Sequence, residues 1–151
     1  MNPSPSSSPK AIFLDAVGTL FHLRERVGKT YAEIAAEHGV VANAEALDKA
    51  FREAWKSLPA PVHAEGVVVE DDDRSWWEEL VRRTFQQAMP DIPEPRQMAE
   101  VFDDLYEHFA YADAWQLWED TVPALEKLHA TDCRLIVLSN FDQRLRNILE
   151  G

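Results

Sequence analysis

A chain of 151 residues is long enough for one domain with its own core. Its 15 Lys and Arg against 27 Asp and Glu leave a formal charge of −12, which repels phosphate backbones and anionic bilayers and argues against nucleic-acid or membrane-surface binding. No apolar run approaches the roughly 20 residues of a membrane span, and the single cysteine, Cys133, allows neither an internal disulfide nor a multi-cysteine metal site.

The opening MNPSPSSSPK lacks the apolar stretch of a signal peptide and reads as a flexible tail over residues 1–10, so a cytoplasmic protein is expected. AIFL then forms a short buried strand that ends in Asp15 and a glycine turn at Gly18. From about Gly28 the apolar period becomes helical, with Val27, Tyr31, Ile34 and Ala35 on one face and Gly39 as the stop. A second helix is expected in AEALDKAFREAWKSL, packing through Leu47, Ala50, Phe51, Ala54 and Trp55, and Pro59 and Pro61 end it. PAPVHAEGVVVEDDD reads as a loop. Its acidic run, Glu70 to Asp73, lacks the glycine and distal Glu of a calcium loop and suits the start of the next helix, near Arg74. A further helix runs through PRQMAEVFDDLYEHFA. Trp76, Trp77, Phe102, Leu105, Tyr106 and Phe109 fall at spacings that pack helices together.

Beyond Trp115, TVPALEKLHA predicts a short amphipathic helix with Val122, Leu125 and Leu128 on one side. RLIVLSN reads as a strand buried on both faces, with Cys133 before it as a small buried hydrophobe, and FDQRLRNILEG begins another helix. Strands separated by helices predict an α/β protein with parallel pairing.

In open parallel sheets the ligand crevice lies beyond the carboxyl ends of the strands. One strand here ends in Asp15, followed by Gly18 and Thr19, and the other ends in Ser139 and Asn140. An unpaired carboxylate is costly to bury, so Asp15 is either a turn-former or a nucleophile. Converging on one pocket, these groups suit an anionic group attacked by an aspartate. The five histidines form no metal pair, and Ser139 with His22 or His38 lacks the pattern of a serine-hydrolase elbow.

A strand followed by DAVGTLF, a helical insertion and a strand ending in Ser139-Asn140 resembles the haloacid dehalogenase (HAD) superfamily of hydrolases, and the insertion resembles its subfamily I cap. SNFD and FREAW look most like its haloacid dehalogenase-like hydrolase domain subgroup. The resemblance implies an incomplete Rossmann-like core with parallel strands, formed by residues 11–23 and 112–151, and an all-helical cap over 24–111. It further implies that Asp15 attacks the electrophile and carries the covalent intermediate. Mg²⁺ would be held by the Asp15 carboxylate and the Val17 backbone carbonyl, and substrate oxygens by Ser139, with Thr19 and Asn140 setting the site.

Two departures from the family pattern matter. Phosphatases of this family usually carry a second Asp two residues after the nucleophile, and here that position is Val17, which transfers no proton. Haloacid dehalogenases lack that acid too, and DAVGTLF differs by one residue from their DAYGTLF; Arg52 would then be the cap arginine that holds a carboxylate, although a surface helix residue is the plainer reading of it. Second, the family's later motifs, a lysine and an acidic pair that completes the Mg²⁺ site, follow the second strand and do not occur before Gly151. The expected reaction is phosphoester hydrolysis of a small anionic substrate. Carbon–halogen hydrolysis of a haloacid and a non-catalytic binding protein are the alternatives. The chain reads as the amino-terminal part of such a hydrolase, truncated and weakly active or inactive, binding Mg²⁺ weakly, and self-associating through an open sheet edge.

Overall fold

The computed structural model describes residues 9–61 and 73–151. Most of the expected tail, most of the loop after Pro61 and the acids Glu70 to Asp72 lie outside the described residues. Two strands, β1 (Ala11–Leu14) and β2 (Phe21–Leu23), precede four helices: α1 (Val27–Glu37), α2 (Ala44–Ser57), α3 (Arg74–Ala88) and α4 (Pro95–His108). A 3₁₀ turn at Ala112–Ala114 leads into β3 (Trp115–Leu117), followed by α5 (Thr121–His129), β4 (Arg134–Val137) and α6 (Arg144–Glu150). The chain forms two compact units: residues 1–22 with 116–141, and residues 23–115 with 142–151.

In the first unit β1 and β4 pair in parallel, Ala11 opposite Arg134 through Leu14 opposite Val137. The ladder extends at both ends, from Arg134 N–H to the Lys10 carbonyl (3.1 Å) and from Leu138 N–H to that of Leu14 (2.9 Å). The expected parallel α/β pairing is therefore present. The expectation that RLIVLSN is buried on both faces is not met: β4 is largely exposed, as are Phe13 (61%) and Leu138 (65%). A two-stranded sheet has no inner strand, and α5 covers little of it; Val122 on the expected apolar side of α5 is itself exposed. Cys133 is only half-buried, and its thiol donates to the Pro9 carbonyl. β2 and β3 form a second two-stranded sheet that the sequence did not reveal, because three residues are too few to show a period.

In the second unit the helices enclose a core of Tyr31, Ala35, Val40, Leu47, Val81, Phe85, Val101, Phe102 and Leu105. Tyr31, Ala35, Leu47, Phe102 and Leu105 are among the residues expected to pack helices together; Val40, which follows α1, and Val81, Phe85 and Val101 are not. Tyr31 stacks on Phe85 with ring centroids 6.0 Å apart, and burial pushes its phenol well above the ordinary range. Gly39 ends α1 with φ +76°, a left-handed conformation that lets Val40 N–H reach back to the Ala35 carbonyl at 2.9 Å. Trp55 is the exception to its predicted packing face. It is 48% exposed, with one side against Trp76 and Trp77.

A buried carboxylate holds α1 to α2. Asp48 accepts the Gly28 N–H at 2.7 Å, so a side chain of α2 satisfies one of the unpaired donors in the first turn of α1. Gly28 permits this close approach: a Cβ there would stand 2.0 Å from the Ala44 carbonyl oxygen and 2.6 Å from Asp48 N. Helix propensity alone makes Gly28→Ala stabilising by about 1 kcal/mol. Packing reverses that sign, and we expect a loss of about 1–3 kcal/mol or more, read as a lower urea midpoint with an unchanged slope. An unchanged or raised midpoint would show that the helices do not approach this closely.

Candidate active site

Asp15 follows the last residue of β1, and the parallel register sets it level with Leu138, one residue before Ser139. Asp15, Val17, Thr19, Ser139 and Asn140 therefore belong to one compact unit, and the two strand ends that carry them lie at the same edge of the β1–β4 sheet. Asp15 is exposed, and its carboxylate has no hydrogen-bond or ion-pair partner among the described residues.

The loop after Asp15 is built around one carbonyl. Ala16 is fully buried, and its oxygen accepts from Thr19 N–H (3.2 Å), Leu20 N–H (2.8 Å) and Phe21 N–H (3.4 Å). Gly18, at φ +84°, reverses the chain and donates to the Phe21 carbonyl at 2.7 Å. A side chain at Gly18 would meet open space, but the left-handed backbone disfavours any Cβ there. Burying Ala16 leaves its neighbours Asp15 and Val17 on the surface, which is how the turn raises the carboxylate out of the strand. The Val17 carbonyl takes part in no hydrogen bond among the described residues.

Across the sheet, Phe141 N–H donates to Ser139 Oγ at 3.3 Å. An oxygen that accepts from the backbone still has its own proton to donate, which suits contact with an anion. Asn140 is exposed beside it. Arg52 lies on the exposed side of α2, in the helical unit, and makes no hydrogen bond or ion pair among the described residues.

Thr121, at the start of α5, is a residue that sequence reasoning missed. It is buried, and its hydroxyl donates to the Leu20 carbonyl at 2.6 Å, while Trp118 N–H approaches the same oxygen at 3.3 Å. Thr121 thus closes the far end of the loop that begins at Asp15. Its signal in the sequence, a Thr at a helix start, is shared by ordinary capping residues.

No group of three or more His, Cys, Asp and Glu side chains suited to a metal occurs among the described residues. The Asp15 carboxylate and Val17 carbonyl are oxygen donors of the kind Mg²⁺ takes, and a Mg²⁺ site commonly uses one or two carboxylates and keeps several waters. The donor set fits this cation in part.

The family model for haloacid dehalogenase-like hydrolases matches residues 9–150. The chain belongs to the haloacid dehalogenase-like hydrolases. Among its curated relatives, "Haloacid dehalogenase-like hydrolase domain-containing protein 3" of Mus musculus is 36% identical over 137 residues, covering 91% of this chain and 54% of that protein. The "Rhythmically expressed gene 2 protein" of Drosophila melanogaster is 27% identical over 148 residues, covering 94% of this chain and 56% of that protein. The chain spans about half the length of the curated relatives it matches. Two crystal structures share the fold. One, described as a "predicted phosphoglycolate phosphatase" from Haemophilus somnus, has a TM-score of 0.53 at 15% identity, covering 90% of this chain and 53% of that one. The other, titled a "Dehalogenase", has a TM-score of 0.52 at 23% identity, covering 95% and 57%.

If Thr121 fixes the Asp15 loop, Thr121→Val, which preserves shape and removes the donor, should cost about 1–2 kcal/mol and speed hydrogen exchange of the Gly18 and Leu20 amides. Unchanged exchange at Gly18 and Leu20 would show that the loop holds its shape without Thr121.

Proposed function

We propose that Asp15 is the nucleophile of a hydrolase acting on a small anionic substrate, with phosphoester hydrolysis as its reaction. The observation that carries this reading is the β1–β4 register, which leaves an exposed carboxylate, without a partner among the described residues, at the end of the sheet where Ser139 and Asn140 also lie. In the proposed reaction an Asp15 oxygen attacks phosphorus, a P–O bond to Asp15 forms and the P–O bond to the leaving alkoxide breaks, the alkoxide taking its proton from solvent water because Val17 supplies none. Water then attacks phosphorus, releasing phosphate and restoring the carboxylate. Ser139 donates its hydroxyl proton in a hydrogen bond to a phosphoryl oxygen, Asn140 offers its amide to another, and Thr19 supports the loop. The Asp15 carboxylate and Val17 carbonyl would hold Mg²⁺, which when bound offsets phosphoryl charge. The helices within 24–111 take the part of the cap, with core portions in 11–23 and 112–151. We further propose that the exposed sheet edges bring copies of the chain together.

A second reading is favoured by Val17. A halide leaves without a proton, so attack of Asp15 on carbon in a 2-haloacid needs no acid at that position, and Arg52 would then hold the substrate carboxylate.

The two readings separate in one assay series with Mg²⁺. Phosphate hydrolysis without a general acid should be slow and steeply dependent on the leaving group, so a nitrophenyl phosphate should far outpace an alkyl phosphate. Val17→Asp should raise the alkyl rate by about 10²–10⁴-fold and the nitrophenyl rate much less. Asp15→Asn should abolish both. Chloride release from 2-chloropropionate would favour the second reading, and turnover that survives Asp15→Asn would overturn both.

A further inference from the structure

The helical unit consists of one long span, Leu23–Trp115, and one later piece, Asp142–Gly151. Bringing the two ends of the long span together carries an entropic cost that some contact has to offset. Arg24 makes that contact with three donors. Its backbone N–H donates to the Ala114 carbonyl at 2.9 Å, its Nε to the Asp113 carbonyl at 3.0 Å and its Nη2 to the Trp115 carbonyl at 3.2 Å. One residue at the start of the span thus holds three consecutive carbonyls at its end.

The partners suit each other chemically. The carbonyls come at the close of the 3₁₀ turn Ala112–Ala114, and the last carbonyls of a helical turn lack donors from their own segment. A guanidinium presents its donors in a fixed planar fork, so one side chain reaches two carbonyls at once; a lysine offers a single point charge. The bond to Trp115 is partly shielded from water, where a hydrogen bond counts for more.

Both sides of this contact are anchored inside the helical unit. On the returning side, the Trp115 indole N–H donates to the Phe109 carbonyl at 3.2 Å, and the Phe109 ring centroid lies 6.3 Å from that of Tyr31 in the core. On the outgoing side, the Arg26 carbonyl accepts from Lys29 N–H (3.0 Å) and Thr30 N–H (3.2 Å) at the start of α1, while Asp48 of α2 takes the Gly28 N–H. The later piece is anchored as well. Arg144 donates to Asp142 at 2.7 Å, and its guanidinium lies 3.9 Å from the ring centroid of Tyr106 and 5.2 Å from that of Trp77. A Cβ on Gly151 would stand 2.9 Å from that of Ala112, so the chain after α6 rests on the same 3₁₀ turn.

We infer that Arg24 is a strap that closes the helical unit across its own two ends, so that this unit keeps its fold when the β1–β4 ladder opens. Among the described residues, none of the strap's hydrogen bonds runs to β1 or β4. The β1–β4 sheet has only two strands and β4 is largely exposed, so it is the part that opens first. Its opening stops short of the helices because their ends are already joined. The chain therefore unfolds in two steps rather than one.

Amide hydrogen exchange of the full chain, followed by nitrogen-15 spectra in rising urea below the main transition, tests this. In the unaltered chain the ladder amides of Arg134 and Leu138 should exchange in a first opening, while the amides of α2 and α3 stay protected. Ile136→Pro, a proline in the middle of the ladder, should abolish protection at Arg134 and Leu138 and leave α2 and α3 as they were. Arg24→Met should speed exchange of the Arg24 and Ala114 amides and of the Trp115 indole N–H by on the order of 10-fold, the effect of losing side-chain hydrogen bonds. Arg24→Lys should recover part of that protection. Combining Arg24→Met with Ile136→Pro should extend the loss to Lys29 and Thr30 at the start of α1, an effect that neither change has alone. Loss of protection throughout α2 and α3 in Ile136→Pro, or together with the ladder in the unaltered chain, would overturn the inference, because the helices would then depend on the sheet. Unchanged exchange at Arg24 and Ala114 in Arg24→Met would overturn it too, because the two ends would be held without the strap.

Discussion

Ala11–Leu14 and Arg134–Val137 pair in parallel although four helices separate them in sequence, and that ladder puts the strand ends at Asp15 and Ser139 at the same end of the sheet. A parallel pair cannot be closed by a tight turn; it needs a crossover, and here the crossover holds four helices with their own core. Such an insertion is thermodynamically tolerable because closure entropy grows only with the logarithm of loop length. The register also carries the proposed site. A slip of one residue would reverse which side chains of β4 face each side and would move Ser139 away from the level of Asp15.

The same ladder exposes what the unit does not cover. Phe13 and Leu138 stand open beside strands that have one neighbour each. The curated relatives that the chain matches are about twice its length. Two exposed strand edges and uncovered apolar side chains are the features that drive strands to find partners.

The helices were legible because their apolar residues recur at 3.6-residue spacing, and Gly39 announced its own left-handed stop. The strands were legible as apolar runs ending in Asp15 and in Ser139, and the family resemblance rested on those same ends. The burial of β4 was not, since a run such as RLIV says what a strand could bury and not whether neighbours exist to bury it. Asp48 and Arg144 carried no signal in the sequence, yet both are enclosed: Asp48 meets a helix terminus and Arg144 meets Asp142 between two rings. Pairing across distant segments has no periodic signature. Removing one partner of a buried ion pair typically costs about 3–5 kcal/mol, so such a pair constrains the chain more than its two letters suggest.

The central claim is that Asp15 is the nucleophile, and a chemically chosen donor tests it without requiring full turnover. Acetyl phosphate releases acetate, which needs no proton at neutral pH, so transfer to Asp15 bypasses the acid absent at Val17. Hydrolysis of the resulting acyl phosphate has no general base at that position and should be slow, so the adduct should accumulate. Trypsin releases residues 11–24 by cutting after Lys10 and after Arg24, with Asp15 as the only side-chain carboxylate of that peptide. After incubation with Mg²⁺ and acid quenching, mass spectrometry should find a phosphoryl group on this peptide in the unaltered chain and none after Asp15→Asn. A phosphoryl group on another peptide, or one that persists at 11–24 in the Asp15→Asn protein, would contradict the assignment.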